Sequence, residues 1–357
     1  MRKETQSCFF AARETVRGTV ESLEALHRLL ASCKEVDKRN NYGETPLLYT
    51  VSTQTLKHHG ALLDELSTRS YVKTWRVLVD AGAQIDARNH ESESILHLFL
   101  ERMKYLLHDP LTSQEQTLIR YAVEETIRMV KFVCEKDKKL LNSRNKEGDT
   151  ALHNLACYAS TIHGDEMVQI AEVLIECGSL VNAQNDYRQT PLHLVKLRSM
   201  AQLLLRHGGD ANACDSQGHS PLLCRCLQAS NNEEPLDLGA WFEDGLNHGM
   251  DPWLEDKEGQ NVFEILLQNG KLNALHSLII SSIYKDKETI FKKDQKGNTL
   301  LHILCNHNAA ELRQLLYILL QEGADVNALN EDGDTPMHIV CRKIVKLPRR
   351  KDDNSAY

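Results

Sequence analysis

The stretch VNAQNDYRQTPLHLV, Val181 to Val195, decides how the rest of the chain is read. An apolar entry leads to Asn185. A tip of Asp186, Tyr187 and Arg188 follows, and Thr190-Pro191-Leu192-His193 then opens a helix. Nearly the same passage returns as VNALNEDGDTPMHIV, Val326 to Val340. A passage that returns is an internal repeat, and the repeat is the frame for everything else.

Aligned on the Thr position, eight copies emerge. They are NNYGETPLL (Thr45), NHESESILH (Ser94), NKEGDTALH (Thr150), NDYRQTPLH (Thr190), DSQGHSPLL (Ser220), DKEGQNVFE (Asn261), DQKGNTLLH (Thr299) and NEDGDTPMH (Thr335). Asn or Asp stands five residues before that position in every copy, and Gly stands two before it in six. Asn and Asp close tight turns by bonding their own downstream backbone, and Gly accepts positive φ without steric cost. Thr or Ser caps the next helix, and Pro at the first helical position gives up only a donor that would be orphaned anyway. Each copy continues with a short apolar helix and then a second one ending near Gly, as in Trp75 to Gly82, Ala171 to Gly178, Met200 to Gly208 and Leu312 to Gly323.

This unit of turn, helix, helix and return resembles the ankyrin repeat, with its T-P-L-H start and a period of about 33 residues. The resemblance covers roughly Val36 to Val340. It implies an all-α solenoid of stacked helix pairs with β-hairpin-like finger turns, several copies degenerate or carrying insertions. Copies two and six depart most: Ile95 replaces Pro, and Asn261-Val262-Phe263-Glu264 keeps only the apolar position. Arg188 takes a Gly position in copy four. These departures bear on individual turn shapes and not on the array. Successive Thr positions lie 30 to 56 residues apart, with extra residues at 52–70, 101–122 and 228–238. The second of these, rich in Leu, is expected to lengthen the helices. Three segments follow: an N-terminal helical cap over 1–35, a repeat array over 36–341 and a basic, disordered tail over 342–357. No clear second helix is expected after Thr335.

Composition narrows the function. Net charge is −8, which disfavours general affinity for nucleic acid. There is no secretory segment and no run of membrane-span length, so no membrane insertion is expected. Ten Cys in a chain of 357 residues do not make a disulfide scaffold. The compartment read from this is the cytosol, with nuclear entry through the basic run at 342–351 as the alternative.

Catalysis is not expected. His97, His153, His193, His302 and His338 all occupy the last place of the T-P-L-H start, where the resemblance implies bonds to backbone that link neighbouring turns. Cys224-x-Cys226 with His219 has the wrong spacing for a zinc pair, so no metal, cofactor or small-molecule substrate is assigned. The resemblance implies a monomeric, non-catalytic scaffold or adaptor that binds a protein partner through its concave face and finger tips. The alternative is a regulatory or targeting part of a larger protein. The tip residues picked out are Asn41, Tyr42, His90, Glu91, Lys146, Glu147, Asp186, Tyr187 and Arg188, with Tyr42 and Tyr187 foremost because Tyr is enriched among contacts that dominate binding. The resemblance also marks Asn182, Asn212 and Asn327 as positions of asparagine hydroxylation.

Overall fold

The computed structural model describes residue 30 and residues 36–52, 74–106, 113–159, 164–228, 238–307 and 312–346. Of the expected cap over 1–35, only the buried helical Leu30 falls among them. Most of the first and third insertions and residues 347–357 of the tail lie outside the described residues. The chain divides into two compact units, Met1–Asp210 and Ala211–Tyr357. Copies one to four belong to the first and copies five to eight to the second.

In the first unit the helices that open the copies are α1 (Pro46–Val51), α2 (Ile95–Leu106), α4 (Ala151–Tyr158) and α6 (Pro191–Leu194). Their partners are helical residues 74–80, α3 (Ser113–Lys136), α5 (Gly164–Cys177) and α7 (Arg198–Arg206). First helices pack on first helices and second on second: α1 on α2, α2 on α4 and α4 on α6 form one row, while α3, α5 and α7 form the other. The second unit repeats the plan. Its first helices are α8 (Pro221–Gln228), α10 (Val262–Gln268), α12 (Leu300–Cys305) and α14 (Pro336–Lys346). Its second helices are α9 (Leu238–Asn247), α11 (Leu272–Lys285) and α13 (Arg313–Gln321). Here α8, α10, α12 and α14 stack in order, and α9 packs on α11.

The first helices are short and apolar nearly all round because they are enclosed. In α4, Leu152 and Leu155 are fully buried and Ala151 nearly so. The second helices bury one stripe only. In α3 that stripe is Ile119, Ala122, Val123, Thr126, Met129, Val130 and Val133, at helical spacing. The long second insertion does lengthen helices, giving α2 12 residues and α3 24. Buried Glu125 on α3 is held by Arg76 at 2.9 Å and by Arg128, which supplies the pairing a buried carboxylate requires.

Among the described residues no strand forms, and the one β-bridge joins Lys293 to Thr299. The first residues of the expected tail are helical. α14 runs through Lys346, five residues past the proposed end of the array, and Arg342 on it pairs with Asp334 at 2.6 Å. Arg342, about two turns into the helix, reaches back to the finger carboxylate.

Candidate interaction surface

The eight finger turns share one hydrogen-bond set. The N–H of the Asn or Asp donates to the carbonyl four residues on, at 2.9–3.2 Å. The N–H three residues on returns to its own carbonyl at 2.9–3.1 Å. Its Oδ1 accepts from the N–H four residues on at 2.6–2.9 Å in every copy, from Asn40 to Asn330. Copies two and four, where Gly is missing, make the same turn. Ser92 and Arg188 adopt φ of 60° and 61° there. The side-chain bonds outweigh the cost of placing a non-Gly residue in the left-handed region.

The framework histidines do what the resemblance implies. Nδ1 of His97, His153, His193, His302 and His338 accepts from the backbone N–H of the capping residue at 3.0–3.2 Å. It also lies 2.7–2.9 Å from the capping hydroxyl. Nε2 then carries the proton. It donates to the next finger's carbonyl from His97 (Asp149, 2.9 Å), His153 (Gln189, 2.9 Å) and His302 (Asp334, 3.0 Å). Burial holds His97 neutral, with its pKa lowered to about 4, and lowers that of His153 as well. These three rings use both nitrogens in structure, which leaves neither for proton transfer. Copy six is less degenerate than its sequence. Asn261 accepts from the Glu264 N–H at 3.2 Å, and the Glu264 carboxylate accepts from the Asn261 N–H at 3.1 Å. Asn and Glu rebuild the cap that Thr and His build elsewhere.

Neighbouring fingers are tied tip to tip. In the first unit His90 N–H donates to Tyr42 O, Lys146 N–H to Glu91 O and Asp186 N–H to Glu147 O. In the second, Lys257 N–H donates to Gln217 O and Glu331 N–H to Lys296 O. A second set of ties was missed in the sequence. The residue before the finger Asn or Asp is basic in copies one, two, three and seven. Arg39, Arg88 and Lys293 each donate to the backbone carbonyl one place before the finger residue of the next copy: Arg88 O, Arg144 O at 2.8 Å and Leu329 O at 2.8 Å. A basic residue at a fixed offset in four copies was the available signal.

All nine tip residues picked out from the sequence are exposed. The structure sorts them. Glu91 pairs with Lys146 at 3.2 Å, and Asp186 pairs with Arg144 at 2.6 Å, so these acids and this lysine link fingers. The His90 ring covers Gly43, where a Cβ would collide with it. Tyr42 and Tyr187 are 55% and 58% exposed, and no described side chain bonds either hydroxyl. The asparagines marked for hydroxylation are engaged in two of three cases. Asn182 donates to Gly208 O and accepts from Asp210 N–H, both at 2.8 Å, and Asn212 does the same with Gly249 and Asp251. Asn327 is exposed, and its amide has no described partner.

Cys224 and Cys226 are buried on α8, and burial raises both thiols to about 12. The pairing weighed from sequence, Cys224 with Cys226, is not the one the fold makes. Asp215, His219 and Cys224 each bring one donor atom within 4.8 Å of the other two. Helical geometry explains why: residues two apart on α8 face different directions, whereas the finger turn brings Asp215 back over Cys224. Among the described residues no helix is long and apolar enough to cross a membrane.

Comparison with known proteins agrees with this architecture. The family model described as "Ankyrin repeat" matches residues 147–186 and 187–216, and that described as "Ankyrin repeats (many copies)" matches residues 288–340. The nuclear factor NF-kappa-B p105 subunit of Gallus gallus is 27% identical over 256 residues, 70% of this chain and 24% of that protein. The ankyrin repeat and SOCS box protein 16 of Homo sapiens is 30% identical over 210 residues, 54% of this chain and 46% of that one. The chain thus spans less than half the length of either relative. The solved ankyrin repeat domain of Bcl-3, 21% identical, aligns with a TM-score of 0.47 over 76% of this chain and 97% of that domain. By the family-model matches, residues 147–216 and 288–340 are ankyrin repeats, and the finger turns of the remaining copies share their bonds.

Proposed function

We propose that the chain is a non-catalytic adaptor that binds a protein partner through the finger tips and the row of first helices, over an array spanning 36–341. That the relatives are ankyrin-repeat proteins supports a role in protein interaction. The observation that carries the proposed surface is the division within each finger. Asn185, Thr190 and His193 are spent on the turn and the cap, while Tyr42 and Tyr187 stand exposed with no structural bond. A large aromatic side chain in water has little reason to be there except contact, and it orders at low entropic cost on binding. The compartment proposed is the cytosol, with nuclear entry as the alternative.

The test is affinity capture with the full chain, followed by mass spectrometry, in parallel with Tyr187→Ala. A partner retained by the unaltered chain and depleted by Tyr187→Ala is the expected result. Equal recovery by both would remove Tyr187 from the surface.

A further inference from the structure

We propose that the corner between finger and first helix in copy five is a transition-metal site, for zinc above all, with Asp215 Oδ2, His219 Nδ1 and Cys224 Sγ as ligands. His219 Nδ1 lies 3.5 Å from Asp215 Oδ2, Cys224 Sγ lies 3.9 Å from the same oxygen, and no pair among the three exceeds 4.8 Å. Tetrahedral zinc with bonds of about 2.0–2.3 Å sets its ligand atoms roughly 3.3–3.6 Å apart. Small side-chain shifts therefore close the set. One oxygen, one nitrogen and one sulfur suit zinc or cobalt rather than magnesium or calcium.

The repeat preorganises the first ligand. Asp215 Oδ1 accepts the N–H groups of Gln217 (2.8 Å) and His219 (2.9 Å), the second a bond every finger makes and the first one that copies one to seven share. That fixes the carboxylate and leaves Oδ2 directed at the cluster. The other two ligands belong to copy five alone. One residue before the Thr position the other seven copies carry an acid or an amide, and copy five carries His219. Four residues after it they carry Tyr, Asn, Leu or Ile, and copy five carries Cys224. On the far side of the ring, His219 Nε2 faces Asp256 Oδ2 at 3.8 Å. A carboxylate behind a ligating imidazole orients the ring and raises its basicity. The Asp215 and Asp256 side chains are each 5% exposed. A divalent ion compensates this buried negative charge and takes Cys224 as thiolate. His219, a quarter exposed, leaves a way in and a fourth position for water or a donor from a partner.

The test is titration of the full chain with cobalt and then zinc, following the thiolate-to-cobalt charge-transfer absorption. The variants borrow residues from other copies and so preserve the fold: His219→Gln installs the residue of copies four and six, and Cys224→Ile that of copies six to eight. Expected are one cobalt per chain with a charge-transfer band and its displacement by zinc. The band is lost in Cys224→Ile and kept in Cys226→Ala. Affinity falls at least about tenfold in His219→Gln and about tenfold in Asp256→Asn, which keeps the finger turn but removes the charge behind the ring. Absence of the band at one equivalent of cobalt overturns the site and leaves His219 as a bridge between two carboxylates. A band that survives Cys224→Ile, or one that follows Cys226 instead, overturns it equally.

Discussion

Copies three and eight are nearly the same sequence, NKEGDTALH and NEDGDTPMH, and make nearly the same local bonds. Asn145 and Asn330 close their turns alike, and His153 and His338 both cap through Nδ1. Their surroundings differ. His153 is fully buried and reaches Gln189 O in copy four, whereas His338 is exposed. Leu152 is fully buried, and its counterpart Met337 is 66% exposed. The lesson is one of levels. The motif specifies a finger and a cap by itself, and a neighbouring copy turns that local structure into buried, cooperative structure.

Substitution at equivalent places should split the two copies. The largest gap is expected at Gly148 against Gly333. Both hold positive φ, at 81° and 74°. A Cβ on Gly148 would sit 2.7 Å from the Asp186 backbone nitrogen, while one on Gly333 meets nothing within 4 Å. Gly148→Ala should cost about 3 kcal/mol or more, and Gly333→Ala about 1–2 kcal/mol from backbone strain alone. Urea unfolding midpoints measure both, and equal losses would break the comparison.

His153→Ala should cost about 2–4 kcal/mol, because it orphans the Thr150 N–H in the interior and takes one of two donors from the Gln189 carbonyl, and His338→Ala about 1 kcal/mol or less. Acid should expose the same contrast. His97 titrates near 4 when folded against about 6.5 when unfolded, so the unfolded chain takes up the proton first. Its contribution is complete above about pH 6.5 and is lost as pH falls toward 4, at about 1.4 kcal/mol per pH unit within that window. Unfolding midpoints that stay level between pH 7 and pH 5 would contradict the neutral, doubly bonded ring.

A smaller effect separates Asn142 from Asn327. Asn142 accepts from the Leu180 N–H at 2.8 Å and donates to Gly178 O at 3.2 Å. Asn142→Ala should cost about 1 kcal/mol, and Asn327→Ala close to nothing.

What could be read from the sequence follows the same division of levels. Asn185, Gly148, Thr190 and His193 announced their roles because each acts within about five residues, at an offset that repeats. The family resemblance supplied the inter-finger reach of His153. Ties that depend only on where the next copy lies were hidden: Arg88 on Arg144 O, Arg144 on Asp186, and Asp186 turning from a free tip into a link. Copy six misled because Asn261 and Glu264 preserve hydrogen-bonding capacity while changing residue names. The Asp215, His219 and Cys224 corner escaped because Cys224 and His219 were weighed with Cys226, whose spacing does not suit zinc, and not with Asp215, which only the finger turn brings back over Cys224.

The central claim is that the framework only holds the fingers and that recognition lies in the exposed tips. Partner affinity measured side by side for Tyr42→Ala/Tyr187→Ala and for His338→Ala tests it most directly. The tip variant should lose at least about tenfold in affinity, roughly 1.4 kcal/mol, with its melting temperature unchanged, and His338→Ala should bind as the unaltered chain does. Undiminished affinity in the tip variant, or an equal loss in both, would contradict the account.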